Sequence, residues 1–223
     1  MPTQIARARA GLAPHRAEAA PIVVKFGGSV VRSAELAAWL DAIAAAPLPI
    51  VVVPGGGALA DEVRACQAQL GFGDQAAHRM ALLAMDQLAW AVAGLRPGFA
   101  VGATESELRR ALDQERIAVW APYALIAGRT DLEESWRLTS DSLALWLAGR
   151  IGALRCYLIK SICRPRAARL GARQLARDGI VDEAFPGLLK QEGVHTFLLG
   201  RGEQDALSAC LAAQTETCGA LID

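Results

Sequence analysis

Lysine is scarce in this sequence. Of its 23 basic residues, only Lys25, Lys160 and Lys190 are lysines. A chain that otherwise uses arginine draws attention to the lysines it keeps. A basic surplus is also missing: 23 acidic residues balance the 23 basic ones, which argues against a nucleic-acid partner. No apolar run reaches the roughly 18 residues that a membrane span needs. The stretch around Met80 to Leu95 is broken by Asp86 and Gln87, so no membrane partner is expected. The five cysteines, Cys66, Cys156, Cys163, Cys210 and Cys218, are odd in number and form no C-x-x-C. Reduced, mostly buried thiols in a cytoplasmic protein are the expectation, with no metal centre. The first 20 residues carry Arg7, Arg9 and Arg16 but no continuous apolar core, so they do not read as a secretory signal. They read as a flexible, Ala- and Arg-rich leader, with a transit peptide as the second reading. Hydrophobic residues, at 53% of 223, are plentiful enough for one sizeable core, so residues 21–223 are expected to form a single domain.

Short apolar runs at Pro21–Phe26, Pro49–Val53, Phe99–Val101, Ile117–Trp120, Arg155–Lys160, Val194–Leu199 and Ala220–Ile222 read as strands. Helical patterns separate them. Ser33 is the expected N-cap of a helix to Ala46, and a helix from Ala58 to Leu70 is broken at Gly71–Gly73. Asp74 is the expected cap of a long helix to Gly94, with Ala77, Met80, Leu83 and Leu88 on its apolar side. Thr104 to Glu107 forms a capping box, Gly128–Trp136 a polar loop, and Ser140–Ile151 and Glu203–Ala213 two more helices. Strands apolar throughout and separated by helices imply a mainly parallel sheet covered on both faces. The expected fold class is therefore α/β, a three-layer α/β/α sandwich. Trp39, Trp90 and Trp146 are expected in core or subunit-interface packing.

Two strand ends carry glycine clusters: Lys25-Phe26-Gly27-Gly28-Ser29 and Pro54-Gly55-Gly56-Gly57. Glycines there let backbone N–H groups approach an anion, and the helix that follows adds the positive end of its dipole. Two such loops on one sheet edge suit two phosphoryl groups facing each other, with Lys25 bridging them. Neither loop is a G-x-x-x-x-G-K-[ST] motif. In Trp136-Arg137-Leu138-Thr139-Ser140-Asp141-Ser142, Thr139 or Ser140 can cap a helix. Asp141 then either complements the helix dipole or orients Lys25 and the loop amides. Lys160-Ser161 ends a later strand at the same carboxyl edge.

Taken together, K-F-G-G-S, P-G-G-G, T-S-D-S-L-A and L-I-K-S resemble the amino acid kinase superfamily over Pro21 to Arg164. That resemblance implies ATP-dependent phosphoryl transfer with Mg²⁺, a small-molecule phosphate substrate and a homo-oligomer. It gives Lys25 and Asp141 the catalytic roles. Gly27, Gly28, Ser29, Thr139, Ser140, Lys160 and Ser161 would serve ATP, and Gly55, Gly56 and Gly57 the acceptor. The runs Gly55–Arg64 and Asp74–Gln87, with Trp136 and Val181-Asp182-Glu183-Ala184-Phe185-Pro186, are similar to a small branch of the superfamily. That branch converts an aminomethylfuranylmethyl phosphate to its diphosphate in methanofuran biosynthesis. A family segment G-G-M-x-x-K is missing here. Arg164, Arg166, Arg169, Arg173 and Arg177 occupy the region, read as a solvated helix face, and Lys160 is the cation that would stand in.

An acceptor with a phosphate, a ring and an ammonium needs amides, an arginine and a carboxylate. Gly56, Gly57 and Arg64 fit the phosphate. Asp61 and Asp86 are candidates for the ammonium, and His78 is a further candidate contact. Asp61 and Arg64, three apart on one helix, equally suit a surface ion pair, and His78 a satisfied interface histidine. Two alternatives stay open. One is the same fold with a nucleoside monophosphate or carboxylate acceptor. The other is a non-catalytic nucleotide-binding or storage module.

Overall fold

The computed structural model describes residues 19–215 and 218–223. The expected leader lies outside the described residues up to position 18. In chain order the strands are β1 (Ile22–Phe26), β2 (Ile50–Pro54), β3 (Phe99–Gly102), β4 (Ile117–Trp120), β5 (Arg155–Ile159), β6 (Arg169–Leu170), β7 (His195–Leu199) and β8 (Ala220–Ile222). They form one sheet in the order β3-β4-β2-β1-β5-β7-β8-β6, parallel except where β7 meets β8. The helices are α1 (Leu36–Ala44), α2 (Gly57–Leu70), α3 (Asp74–Gly94), α4 (Glu105–Asp113), α5 (Tyr123–Ile126), α6 (Ser140–Ile151), α7 (Ala172–Arg177), α8 (Phe185–Glu192) and α9 (Gln204–Ala213).

Alternation along the strands builds two cores. Ile22, Val24 and Phe26 of β1 pack with Trp39 and Leu40 of α1 and Leu207 of α9. Val23 faces the opposite way, into the core that holds Leu143 and Leu147 of α6 and Phe185 of α8. The period of two therefore turns Lys25 toward α6. Each fully buried aliphatic side chain contributes about 1.5–3 kcal/mol, so the register of β1, and with it the direction of Lys25, is strongly fixed.

Several local expectations are corrected. Ser33 does not cap α1. The chain first makes a 3-10 turn at Val30–Arg32, and Ser33 closes it, its Oγ donating to the Val30 carbonyl at 2.9 Å. Glu35 occupies the N-cap of α1. Asp74 is the first residue of α3 rather than its cap; Gly73 holds that position, and Asp74 Oδ1 accepts from Gln67 Nε2 at 2.7 Å. Met80 and Leu83 face outward, because the buried stripe of α3 runs through His78, Leu82, Met85, Ala89 and Val92. Both stripes have helical spacing, and the sequence does not choose between them. The arginine-rich segment is not one helix face: Arg173 and Arg177 lie on α7, but Arg164 pairs with Glu203 (2.7 Å) and Arg169 with Asp223 (3.0 Å).

Other expectations hold. Thr104 and Glu107 form the reciprocal capping box of α4. Trp39 and Trp146 are buried, the latter stacked on Trp120 with centroids 6.2 Å apart, whereas Trp90 is 69% exposed. All five cysteines are free; Cys156, Cys210 and Cys218 are buried and Cys163 is exposed. No helix among the described residues is long and apolar enough to cross a membrane.

Candidate active site

Because β1 and β2 are adjacent and parallel, their glycine loops leave the same edge of the sheet. They touch. A Cβ on Gly28 would lie 2.5 Å from the Cα and N of Gly57, so neither a side chain nor a wider separation is built in there. Gly57 itself has φ +52°, the left-handed region that favours glycine, and starts α2. Gly27 N donates to the Ile159 carbonyl at 2.8 Å, and Gly55 N to the Phe26 carbonyl at 2.8 Å. These bonds tie both loops to the sheet.

Beside the loops, Asp141 in the first turn of α6 bridges two ammonium groups. Lys25 Nζ donates to its Oδ1 and Lys160 Nζ to its Oδ2, each at 2.6 Å. Lys25 and Asp141 are 2% and 5% exposed. Burial brings the Lys25 pKa down to about 8; Asp141 resists this and the Lys160 charge reinforces it. Burial alone would raise the Asp141 carboxyl, but Lys160 and Lys25 hold it at about 2. The arrangement sets two ammonium groups around one buried carboxylate between two glycine loops, where an ion interacts more strongly than in water.

A cavity of about 510 Å³ opens over this cluster. On one side it is lined by Gly27, Gly28, Ser29, Ser161 and Ile162, with Asp178, Gly179 and Ile180 beyond. Ser29 Oγ and Ser161 Oγ meet at 2.5 Å, closing that side. On the other side lie Gly56, Gly57, Asp61, Arg64 and His78, with an apolar wall of Ala81, Leu82, Met85 and Leu138. The Arg64 guanidinium sits 4.0 Å over the Trp136 ring. His78 Nδ1 lies 3.1 Å from the Ser135 carbonyl. A carbonyl only accepts, so Nδ1 carries the hydrogen. His78 Nε2 is buried without a partner. Burial lowers the His78 pKa, and the neutral ring results.

The structure thus brings together Lys25, Gly27, Gly28, Ser29, Gly56, Gly57, Asp61, Arg64, His78, Thr139, Ser140, Asp141, Lys160 and Ser161 around one cavity. Two expected site residues fall outside it. Asp86, expected near the acceptor, instead accepts from the backbone N–H of Tyr123 at 3.1 Å and holds the start of α5. A half-buried carboxylate gains from a partner, and that amide is the partner the structure shows. Gly55 lies beneath Gly28, where a Cβ would meet Gly28 N at 2.8 Å, and does not line the cavity. Asp61 and Arg64 are both a surface pair, 3.0 Å apart and largely exposed, and part of the rim.

Sequence reasoning missed Asp182 as a site residue. Its Oδ2 accepts from Thr139 N (3.0 Å), Thr139 Oγ1 (2.9 Å) and Ser142 N (3.0 Å), and its Oδ1 accepts from Ser142 Oγ. Thr139 is the N-cap of α6, but its side chain makes no capping bond; the carboxylate of Asp182 does that work from 43 residues away. No local pattern announces a cap supplied across such a distance. Among the described residues no group of three or more His, Cys, Asp or Glu side chains is placed to hold a metal ion.

The model of the amino acid kinase family matches residues 20–162, the span from β1 to just past Lys160. The chain belongs to the amino acid kinase family. Membership makes it a kinase, an ATP-dependent phosphotransferase. Amino acid kinase folds are also its structural neighbours. The uridylate kinase of Archaeoglobus fulgidus superposes with a TM-score of 0.69 at 18% identity, over 92% of this chain and 100% of that one. The aspartate kinase of Synechocystis superposes at 0.60 and 15% identity, over 91% of this chain and 39% of that one. A curated relative from Methanocaldococcus jannaschii, [5-(aminomethyl)furan-3-yl]methyl phosphate kinase, is 29% identical over 187 residues, covering 79% of this chain and 86% of that protein.

Proposed function

We propose that this kinase transfers the γ-phosphoryl group of ATP to the phosphate of a small phosphomonoester, an aminomethylfuranylmethyl phosphate, and makes its diphosphate. The observation that carries the reading is the Lys25–Asp141–Lys160 cluster seated between two touching glycine loops. The bond formed joins an acceptor phosphate oxygen to the γ-phosphorus; the bond broken is the one from that phosphorus to the β–γ bridging oxygen, which leaves with ADP. An acceptor phosphate is ionised at neutral pH, so no base has to take a proton. The chemistry then asks for positioning and charge neutralisation.

In this reading Gly27, Gly28 and Ser29 hold the ATP phosphates, with Lys160 and Ser161 on the same side. Gly56, Gly57 and the N-terminus of α2 hold the acceptor phosphate, and Arg64 reaches it from the rim. Lys25 neutralises the moving group, and Asp141 keeps both ammonium groups in place. Ala81, Leu82, Met85 and Leu138 offer an apolar slot for a five-membered ring. Asp61 on the rim is the carboxylate for the ammonium. Mg²⁺ arrives on the oxygens of ATP and supplies further charge neutralisation. Residues 21–223 act as one domain in this reading. Cytoplasmic location follows from ATP use and free thiols. Self-association uses the outward stripe of α3, where Met80, Leu83 and Trp90 are 38%, 44% and 69% exposed.

The test is ADP release from Mg²⁺-ATP with aminomethylfuranylmethyl phosphate, uridylate, acetylglutamate and aspartate offered separately, with Lys25→Ala as control. Turnover with the furan phosphate, reduced roughly 100- to 1,000-fold in the variant, is expected. Preference for another acceptor would remove the substrate assignment. ATP binding without turnover of any acceptor would favour a non-catalytic nucleotide-binding module.

A further inference from the structure

Both oxygens of Asp141 accept from lysines, one from Lys25 and the other from Lys160. A residue in the first turn of a helix is well placed to accept from the free N–H groups there. At the start of α6 two of those donors, the N–H groups of Thr139 and Ser142, are taken by Asp182 from the loop between α7 and α8. The same loop is stitched to the segment before α6 a second time: Ala184 N donates to the Arg137 carbonyl at 2.9 Å, and Arg137 Nε to Glu183 at 3.0 Å. Just upstream, Asp178, Gly179 and Ile180 line the cavity.

We propose that Asp182 is a positioning residue for phosphoryl transfer, one that caps α6 from outside, leaves both Asp141 oxygens to Lys25 and Lys160, and ties the nearby cavity-lining residues 178–180 to that cluster. The inference rests on the kinase reading, since it assigns a role in that reaction. The buried Asp141 and the part-buried Asp182 then face two ammonium groups. The charged and titratable groups facing Lys25 are Asp141 of α6, Lys160 and Cys156 from β5 and its end, and Asp182 from its loop. Asp182 favours the charged form of Lys25.

Asp182→Asn keeps the shape and can still accept from the two backbone amides, but it removes the charge. The kcat is expected to fall about 10- to 100-fold, as for a displaced catalytic group. The KM for ATP is expected to stay level or fall, because losing a negative charge beside two ammonium groups does not weaken anion binding. A merely structural cap would not produce that split.

A second readout needs no turnover. The chain has three lysines, so ¹³C-lysine labelling gives few side-chain resonances, and Lys25 is assigned with Lys190→Arg and Lys160→Arg. The Lys25 resonance is expected to titrate at lower pH in Asp182→Asn than in wild type. Asp182→Glu retains the charge, and its Lys25 titration stays near the wild-type position while kcat drops; it also covers the case in which the Asn variant does not fold. An unchanged Lys25 titration together with an unchanged kcat, in a folded but less stable Asp182→Asn protein, would overturn the proposal. If wild type turns over no acceptor, the kinase reading fails by itself, and the lysine titration still decides whether Asp182 sets the charge of the cluster.

Discussion

At the scale of single residues, the cluster makes an unusual demand on Lys25: it must be an ammonium in a place that disfavours one. Its folded pKa of about 8 lies below the ordinary 10.5. Activity of the free enzyme, read as kcat/KM against pH, is therefore expected to be full below that value and to fall as pH rises through about 8, as Lys25 loses its proton. Stability moves the other way. Between about 8 and 10.5 the unfolded chain binds more protons at this site, so the Lys25 contribution to folding improves with rising pH. A flat kcat/KM from pH 7 to 9 would contradict the account. Asp86 gives the opposite prediction. It accepts one amide hydrogen bond outside the cavity, and Asn accepts the same bond, so Asp86→Asn should leave kcat and KM within about twofold of wild type. A loss of acceptor affinity would return it to the site.

At the scale of elements, the two glycine loops form one unit because β1 and β2 are neighbours. Gly28→Ala would drive a Cβ against backbone atoms of Gly57, which cannot yield as a flexible side-chain tip would. The expected result is a loss of about 1–3 kcal/mol in chemical denaturation and loss of ATP-dependent protection; unaltered protection would show that the loops are free to part. This unit was legible in the sequence, since glycines after two apolar strands point to one edge once the sheet is parallel. So were Lys25 and Asp141, through rarity and the T-S-D-S turn. What stayed illegible has a common physical cause. Whether Met80 or Leu82 of α3 faces inward depends on which neighbours the helix meets, and both choices fit the period. Asp86 suits an ammonium as a carboxylate on a mostly apolar helix, yet its partner is an amide 37 residues away. Asp182 caps a helix across 43 residues. Elements as short as β6, with two residues, carry no period to read. Long-range hydrogen bonds decide these cases, and a local pattern does not contain them.

At the scale of the whole molecule, one sheet edge gathers the two glycine loops, while the outward stripe of α3 leaves Leu83 and Trp90 exposed. If that stripe buries itself in self-association, sedimentation should give a mass that is a multiple of 23.5 kDa, and Trp90→Asp should shift it toward the single chain. A monomer at all concentrations would remove that part of the reading. The proposed chemistry passes a phosphoryl group to a phosphate oxygen across the Lys25–Asp141–Lys160 cluster. ³¹P NMR of the enzyme with Mg²⁺-ATP and aminomethylfuranylmethyl phosphate tests it most directly. The account predicts that the monophosphate signal is replaced by the paired doublets of a new diphosphate as ADP appears, and that Lys25→Ala nearly abolishes the change. A monophosphate signal that persists unchanged while ATP is bound or hydrolysed would contradict it.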